Sequence, residues 1–474
     1  MTETQAASRP QRGDELELRV ESLAFGGEGV ARLSDHGYVV FVAGAVPGDL
    51  VRAVVHKSKR AYAHARATEI LEPSAERIEP RADHPGVPWQ VLPYARQLEI
   101  KQAQVDEALQ RLGGLSGYQL EPIVPALEQW RYRNKLEYSF GQSGGELVCG
   151  FHAPAGGRAV VSIADCLLAS ELGNRARELV LAWARGQGLE AWERDGGGED
   201  RELRAGAAAD GRVRLRNLVV REGRRTGRLQ LRLVTSPGQL DADDLAATLN
   251  AELGEALSGL LWTRTERLAE TTQGGVTELV WGDEDLPEQL GELDLRISAE
   301  AFFQTNTEMA EVLYGIAAER AALGGFERVF DLYSGIGTIA MWLAARAGEV
   351  WGIEIVEPAV ADAIASARRN QVRNVHFFAG DARLALPQLV QEAGRPDVVV
   401  LDPPRAGLSK KVVQRVIDAA PRRIVYVSCN PTTLAPNAAE FAASGYRLVS
   451  VTPVDMFPQT HHIECVALLE RDSG

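Results

Sequence analysis

Between residues 14 and 72 apolar and polar positions alternate in short runs. LELRVESLA, GEGVARL, YVVFVAGAV, DLVRAVVHKSK and YAHARATEIL are β-branched, alternating and bounded by Gly, Pro or Asp. Five short strands at this spacing predict a small OB-like barrel over residues 13–72, an architecture that serves as a platform for oligonucleotides. The polar segment before it, residues 1–12, predicts a disordered tail, and the Pro-bounded polar run 73–93 predicts a linker. At 94–113 the period changes to that of a helix, with Leu98, Val105, Leu109 and Leu112 on one stripe and Gly113-Gly114 as the stop. Strand-like runs such as KLEYSFG, LVCGFH, LRNLVVRE, LQLRLVTS and GLLWTRT then predict a mixed α/β domain, which closes the span 94–300; within it, residues 195–211 are poor in apolar side chains and predict a mobile loop. From 301 to 474 helical and strand patterns alternate, the signature of a doubly wound, mostly parallel Rossmann-like α/β sheet.

In such a sheet ligands sit at the carboxyl ends of the strands. The polar residues that end the predicted strands are Tyr333 and Gly335, Glu354, Asp381, Asp402 and Cys429. Asp331–Thr338 (DLYSGIGT) is a strand followed by a glycine turn and a helix, and Glu354 follows at the distance from which a carboxylate reaches a ribose. Position 340 is alanine, so the third glycine of a dinucleotide turn is missing, which favours an adenosyl cofactor. Asp402-Pro-Pro-Arg405 stiffens the end of an apolar strand. A thiol at a strand end, as in Ser428-Cys429-Asn430-Pro431, is a nucleophile candidate, but taken alone an inert buried cysteine is the commoner case. Glu464 changes that balance. If the last strand runs antiparallel, its first residue lies beside the carboxyl ends of the others, Glu464 shares a pocket with Cys429, and Cys465 points to the opposite face. A thiol and a carboxylate in a base-sized pocket are the minimum set for methylating carbon 5 of uracil: the thiolate adds to carbon 6 and makes carbon 5 nucleophilic, and the carboxylate removes the carbon 5 hydrogen. A base within structured RNA must be flipped out to reach such a pocket.

Charge complicates this picture. The net charge of −14 disfavours a nucleic-acid partner on average. Basic residues are nevertheless clustered: eight arginines against the single acid Glu222 over 212–232, a second group at Lys57, Lys59, Arg60 and Arg66, and a third at Arg131, Arg133 and Lys135. The three groups together predict a polyanion surface. The four cysteines contain no C-x-x-C pair and predict neither a disulfide framework nor a four-thiol metal site. With no secretory signal and no apolar run long enough for a membrane span, a soluble cytoplasmic protein is expected.

YRNKLEYSFG (132–141), FFQTN (302–306), DLYSGIGT, LDPPRAG (401–407), YVSCNP (426–431) and HHIE together resemble the bacterial uracil-C5 RNA methyltransferases, which make 5-methyluridine in tRNA and ribosomal RNA. The resemblance runs over nearly the whole chain; residues 13–72 are similar to the family's TRAM domain and 301–474 to its class I methyltransferase domain. It implies S-adenosyl-L-methionine as cofactor, Cys429 as nucleophile and Glu464 as proton acceptor. It further implies Gln304, Tyr333, Glu354, Asp381 and Asp402 as cofactor and target-base positions. Thr338 stands where some members have Asn. Many TRAM-containing members hold a 4Fe–4S cluster through four cysteines, but here RADHPGVPWQ (81–90) has none and only Cys166 resembles a ligand. No iron–sulfur cluster and no other metal are therefore expected, and Cys166 reads as a buried relic. RNA is the expected partner, 23S ribosomal RNA ahead of tRNA because the best-known bacterial tRNA enzymes of the family lack the barrel, and a monomer is expected. Two other classes make different predictions. An amino-group methyltransferase using Asp402-Pro-Pro retains activity in Cys429→Ala, and a non-catalytic RNA-binding assembly factor keeps its cellular role without Cys429 and Glu464.

Overall fold

The computed structural model describes residues 9–33, 37–153, 159–192 and 211–472; most of the expected tail and, apart from Gly211, the expected loop at 195–211 lie outside them. The barrel has strands β1 (Glu15–Arg19), β2 (Ser22–Leu23), β3 (Gly29–Arg32), β4 (Val39–Ala43), β5 (Leu50–Ser58) and β6 (Tyr62–Glu72), in the sheet order β1-β5-β6-β4-β3-β2. One strand more than expected arises because LELRVESLA breaks after Arg19. The alternation works as predicted: Val40, Val42, Val51, Ala53, Val55, Ala63 and Ala65 point inward and form the barrel core. Residues 9–12 are not part of a free tail. Ser58 Oγ donates to the Pro10 carbonyl (2.6 Å) and Arg9 Nε donates to Ser58 Oγ (2.9 Å), which fastens the segment to the end of β5.

The expected linker is instead a packed segment. Val87, Trp89 and Leu92 are buried, and the Trp89 amide donates to the Gln459 carbonyl at 3.0 Å. Three apolar side chains without periodicity do not announce an element, yet they bury enough surface to anchor one. The boundary at 94 also shifts. Helix α1 (Tyr94–Arg111) buries Val105 and Leu109 in the core of the C-terminal sheet, and β7 (Gln119–Leu120) joins that sheet at its edge. Lys101 of α1 is completely buried against Asp455 (2.6 Å), whose other oxygen accepts from Tyr94 Oη (2.8 Å).

The central domain is a mixed sheet of β8 (Lys135–Ser143), β9 (Glu146–His152), β10 (Val160–Ser162), β11 (Glu190–Ala191), β12 (Arg214–Gly223), β13 (Arg228–Thr235), β14 (Leu257–Arg264) and β15 (Val276–Gly282). Helices α2 (Glu171–Gly186) and α3 (Ala242–Leu253) share its core. A hairpin of β16 (Leu286–Leu290) and β17 (Leu293–Ile297) leads out of it. Most of the arginines over 212–232 face inward or pair with acids, contrary to the polyanion surface expected of them. Arg216, Arg221 and Arg232 are buried; Arg224 and Arg225 reach Glu308 (3.2 Å) and Glu311 (2.7 Å). Arg131 and Lys135 are likewise held, by Asp165 and Glu137. An apolar strand face accepts an arginine when carbonyls or carboxylates receive its fork, which one-dimensional charge counting misses.

The C-terminal domain is the expected doubly wound fold. Its order is α4 (Thr307–Ala321), β18 (Arg328–Leu332), α5 (Thr338–Ala344), β19 (Glu349–Glu354), α6 (Glu357–Arg369), β20 (Val375–Ala379), α7 (Ala382–Ala393), β21 (Val398–Leu401), α8 (Lys410–Ala419), β22 (Arg423–Ser428), α9 (Pro431–Ala442), β23 (Tyr446–Val454) and β24 (Glu464–Arg471). The sheet runs β20-β19-β18-β21-β22-β24-β23-β7, with β18–β22 parallel and β24 antiparallel to β22. Among the described residues no helix is long and apolar enough to cross a membrane.

Candidate active site

The register between β22 and β24 pairs Ser428 with Cys465. The next residue on each strand's site-facing end is therefore Cys429 on one and Glu464 on the other, side by side at the carboxyl edge of the sheet. Cys429 is held there from both sides. Asn430 caps α9, accepting from the Thr432 amide at 3.0 Å, and its Nδ2 donates to the Arg405 carbonyl at 3.0 Å, which ties the Asp-Pro-Pro-Arg turn to the cysteine turn. Cys429 is partly exposed, whereas Cys149, Cys166 and Cys465 are buried. Cys166 faces His84 Nε2 at 3.3 Å, and among the described residues no group of three His, Cys, Asp or Glu side chains is arranged to hold a metal ion.

Asp402 ends β21, its amide donating to the Leu332 carbonyl of β18 (3.3 Å). Burial pushes its carboxyl up to about 7. Glu464 is driven well above the usual carboxylate range, by burial and then by Asp402. Asp331, absent from the sequence-predicted set, is fully buried and neither carboxyl oxygen has a full hydrogen bond; burial and Asp402 raise it well above the usual carboxylate range, against the nearby Ala340 amide, which opposes them. The Cys429 thiol is pushed up to about 11, by burial first and then by Glu464 and Asp402, with Arg405 acting in the opposite direction. Tyr314 lies in the same field, its hydroxyl 3.1 Å from Thr338 Oγ1. Three carboxyl groups and a thiol thus share one edge, and the arginine that acts on the thiol, Arg405, is itself exposed.

Tyr333 and Asp381 line a cleft of about 270 Å³ together with Ile353, Ile355, Gly380 and Arg383. Tyr333 has a left-handed backbone (φ 69°), a conformation that costs a non-glycine residue energy and recurs at functional turns. The carboxylate of Glu354 spans the start of the turn, accepting from the amides of Gly335 (3.0 Å) and Val356 (2.9 Å). The two glycines of the turn differ. Gly335 faces open space, but a Cβ on Gly337 would lie 2.4 Å from the Phe377 ring, so Gly337 serves close packing rather than approach of a ligand. Asp381 caps α7 and is held below the usual carboxylate range by Arg383. Gln304 lies outside this cleft. It is buried on the segment before α4, where Asn134 Nδ2 donates to its carbonyl (2.8 Å) and Asn306 Nδ2 donates to the Met456 carbonyl (3.0 Å). These two asparagines come from YRNK and FFQTN, so those motifs fasten the central domain to the loop preceding Glu464.

Tyr333 and Asp381 thus line the cleft, Glu354 closes the glycine turn beside it, and the acids Asp331, Asp402 and Glu464 interact with one another at the same end of the sheet.

Residues 280–472 match the family described as tRNA (Uracil-5-)-methyltransferase, and residues 9–68 match the TRAM domain. An uncharacterized RNA methyltransferase of Halalkalibacterium halodurans is 35% identical, with 97% of each chain covered. One of Chlorobaculum tepidum is 36% identical, with 98% of each chain covered. Among solved structures, the Pyrococcus abyssi tRNA (uracil-54, C5)-methyltransferase in complex with S-adenosyl-L-homocysteine superposes with a TM-score of 0.72 at 26% identity. The match covers 96% of this chain and 100% of that one.

Proposed function

Since the chain belongs to the TRAM-bearing RNA (uracil-5-)-methyltransferase family and is S-adenosylmethionine-dependent, we propose that it methylates carbon 5 of one or more uridines by covalent catalysis through Cys429. The Cys429 Sγ forms a bond to carbon 6 of a flipped uracil, and the electron pair passes to carbon 5 as an enolate. S-adenosylmethionine supplies the methyl group as an electrophilic sulfonium. Glu464 then takes the hydrogen from carbon 5, the 5,6 double bond re-forms, and the Sγ–carbon 6 bond breaks to release Cys429. Tyr333, Glu354 and Asp381 hold the cofactor, and Asp402 and Gln304 border both cofactor and base.

The observation that carries this reading is the Ser428–Cys465 register, which sets thiol and carboxyl beside each other. The acids tune it. A positive charge in the cleft draws protons off Glu464 and Cys429; once that charge is gone, Glu464 is again an uncompensated buried carboxylate with a strong pull on a proton.

We place 23S ribosomal RNA first as substrate. A tRNA is the second reading, favoured by the likeness to the Pyrococcus enzyme, which aligns over the barrel as well and acts on a tRNA. Nucleoside mapping of total RNA from cells with and without the gene separates them: loss of 5-methyluridine at a site in 23S RNA supports the first, loss in tRNA the second. Loss of a different methylated base, with 5-methyluridine intact, refutes the mechanism.

A further inference from the structure

Of the three basic groups along the chain, those at 131–135 and 212–232 are largely spent on internal partners, whereas Lys57, Lys59 and Arg60 at the β5–β6 hairpin are exposed and make no ion pair among the described residues. The tip that carries them is pinned, because Tyr38 Oη donates to the Lys59 carbonyl at 2.7 Å. Beside it lies an unusual surface for a small barrel. The parallel pairing of β4 with β6 sets Phe41 directly opposite His64 and Val39 opposite Tyr62, all on the outer face. Phe41 stacks on His64 with ring centroids 5.3 Å apart and planes at 28°. Tyr62 packs edge-on to both, at 5.7 and 5.4 Å. His56, 6.0 Å from His64, sits at a bulge of β5 and is exposed. The inner face of the same strands is all alanine and valine, so the rings are not needed for the barrel core.

This surface is continuous with the catalytic mouth through the turn between β2 and β3. Glu28 of that turn holds His64 Nδ1 at 3.1 Å. Gly27 lies against His461, where an added Cβ would be 3.0 Å from Nδ1, and Phe25 faces the Arg405 guanidinium at 5.9 Å. His461 precedes Glu464 by three residues and Arg405 belongs to the turn bonded to Asn430, so the turn touches both sides of the Cys429 site.

We propose that Phe41, Tyr62, His64 and His56 form a stacking platform for a single-stranded segment of the substrate RNA as it leaves the catalytic mouth, with Lys57, Lys59 and Arg60 on its phosphates. The proposal rests on the reading of the chain as an RNA enzyme and adds the place, the residues and the unpaired state of the strand. Ring faces accept any base and fixed cations accept any phosphate, the combination that single-stranded nucleic acid requires. A helical duplex hides its base faces and would use the cations alone.

The test uses the full chain and a fluorescein-labelled oligouridylate of about twelve nucleotides, read by anisotropy over a salt series. Phe41→Ala with Tyr62→Ala should weaken binding by about tenfold at every salt concentration. Lys57→Glu with Lys59→Glu and Arg60→Glu, an exposed set that leaves the core alone, should weaken it and lower the log–log salt slope by about 2. Both variants should bind S-adenosylhomocysteine as the native chain does, which reports an intact catalytic domain. Native-like oligouridylate binding by the charge variant overturns the proposal even if the ring variant fails to fold. Loss in the charge variant only, with a folded ring variant binding normally, overturns the stacking role, and equal weakening on a perfect duplex overturns the single-strand assignment. Failure of the methylation reading would show separately, as a native chain that binds the oligonucleotide and yields no 5-methyluridine.

Discussion

The central domain and the catalytic edge both bury charge, and they treat it in opposite ways. On β12, Arg216 donates to the carbonyls of Arg267 and Ala269 (2.7 Å each) and lies 4.0 Å over the Trp192 ring; Arg221 donates to Ser298 and Ala301 (2.9 and 2.5 Å). On β13, Arg232 meets Glu300 at 3.3 Å. The terminal nitrogens of each guanidinium find acceptors within the chain, although each buried Nε has none. At the carboxyl edge of the catalytic sheet, Asp331 has no full hydrogen bond, and Asp402 and Glu464 face each other and a thiol. Buried charge whose outer nitrogens find acceptors inside the chain holds elements together. Buried charge left unsatisfied is a standing cost that persists where a ligand removes it.

The comparison is open to attack first at Glu464. If its carboxyl is the proton acceptor, Glu464→Gln lowers turnover by at least about a hundredfold, and methylated RNA accumulates bonded to Cys429, visible as a band that survives denaturing electrophoresis. Undiminished turnover would reassign proton removal to another group. Next in size is Arg221→Met, which strands the buried carbonyl of Ala301 and the part-buried carbonyl of Ser298. It should cost about 3 kcal/mol in urea unfolding of the full chain. A loss below about 0.5 kcal/mol would mean that the arginine is as dispensable as a surface residue, and the contrast with the catalytic edge would vanish.

How much of this was legible in the sequence follows the same division. Period and strand-end position reported the parallel sheet and its ligand edge, because a strand has only two faces and a doubly wound sheet only one such edge; the antiparallel last strand entered only as a condition, which the β22–β24 pairing meets, and the neighbouring of Cys429 and Glu464 follows from it. Three-dimensional satisfaction of charge left no such mark. Arg216 and Lys57 look alike in a string of letters; one is buried under Trp192 and the other stands in solvent. Asp331 was quoted within its motif yet passed over, since its lack of a full hydrogen bond depends on residues distant in the chain. The packing of residues 73–126, though not the helix within them, escaped the sequence for a related reason. Trp89, Lys101 and Leu109 pack against residues more than 300 positions away, and no local signal carries that.

A third measurement separates charge from shape at Cys429. With its thiol at about 11, the free protein exposes little thiolate at neutral pH, and iodoacetamide should react slowly, faster by about tenfold per pH unit until that value is approached. S-adenosylmethionine should move the midpoint down by about one unit or more, because a cation favours the thiolate. S-adenosylhomocysteine has nearly the same shape without the sulfonium charge and should not. Equal shifts with both would assign the effect to closure of the site rather than to its acids.

The smallest effect is the most direct on the principle. Asp402 has a folded value of about 7 against an ordinary 3.8, so between those values the folded chain binds the proton that the unfolded chain has released. Stability then falls as pH rises through that window, the reverse of a salt-bridged aspartate. Asp402→Asn removes the titration. Relative to the native protein its thermal midpoint should gain nothing below about pH 4, gain progressively from there, and hold the full gain above about pH 7. The same variant should bind S-adenosylmethionine more weakly, since it gives up a charge that the sulfonium compensates. A midpoint difference that stays flat across pH, or a gain without loss of cofactor affinity, would show that the carboxyl at 402 is already satisfied in the free protein, and the catalytic edge would then differ from the arginines of β12 in sign alone.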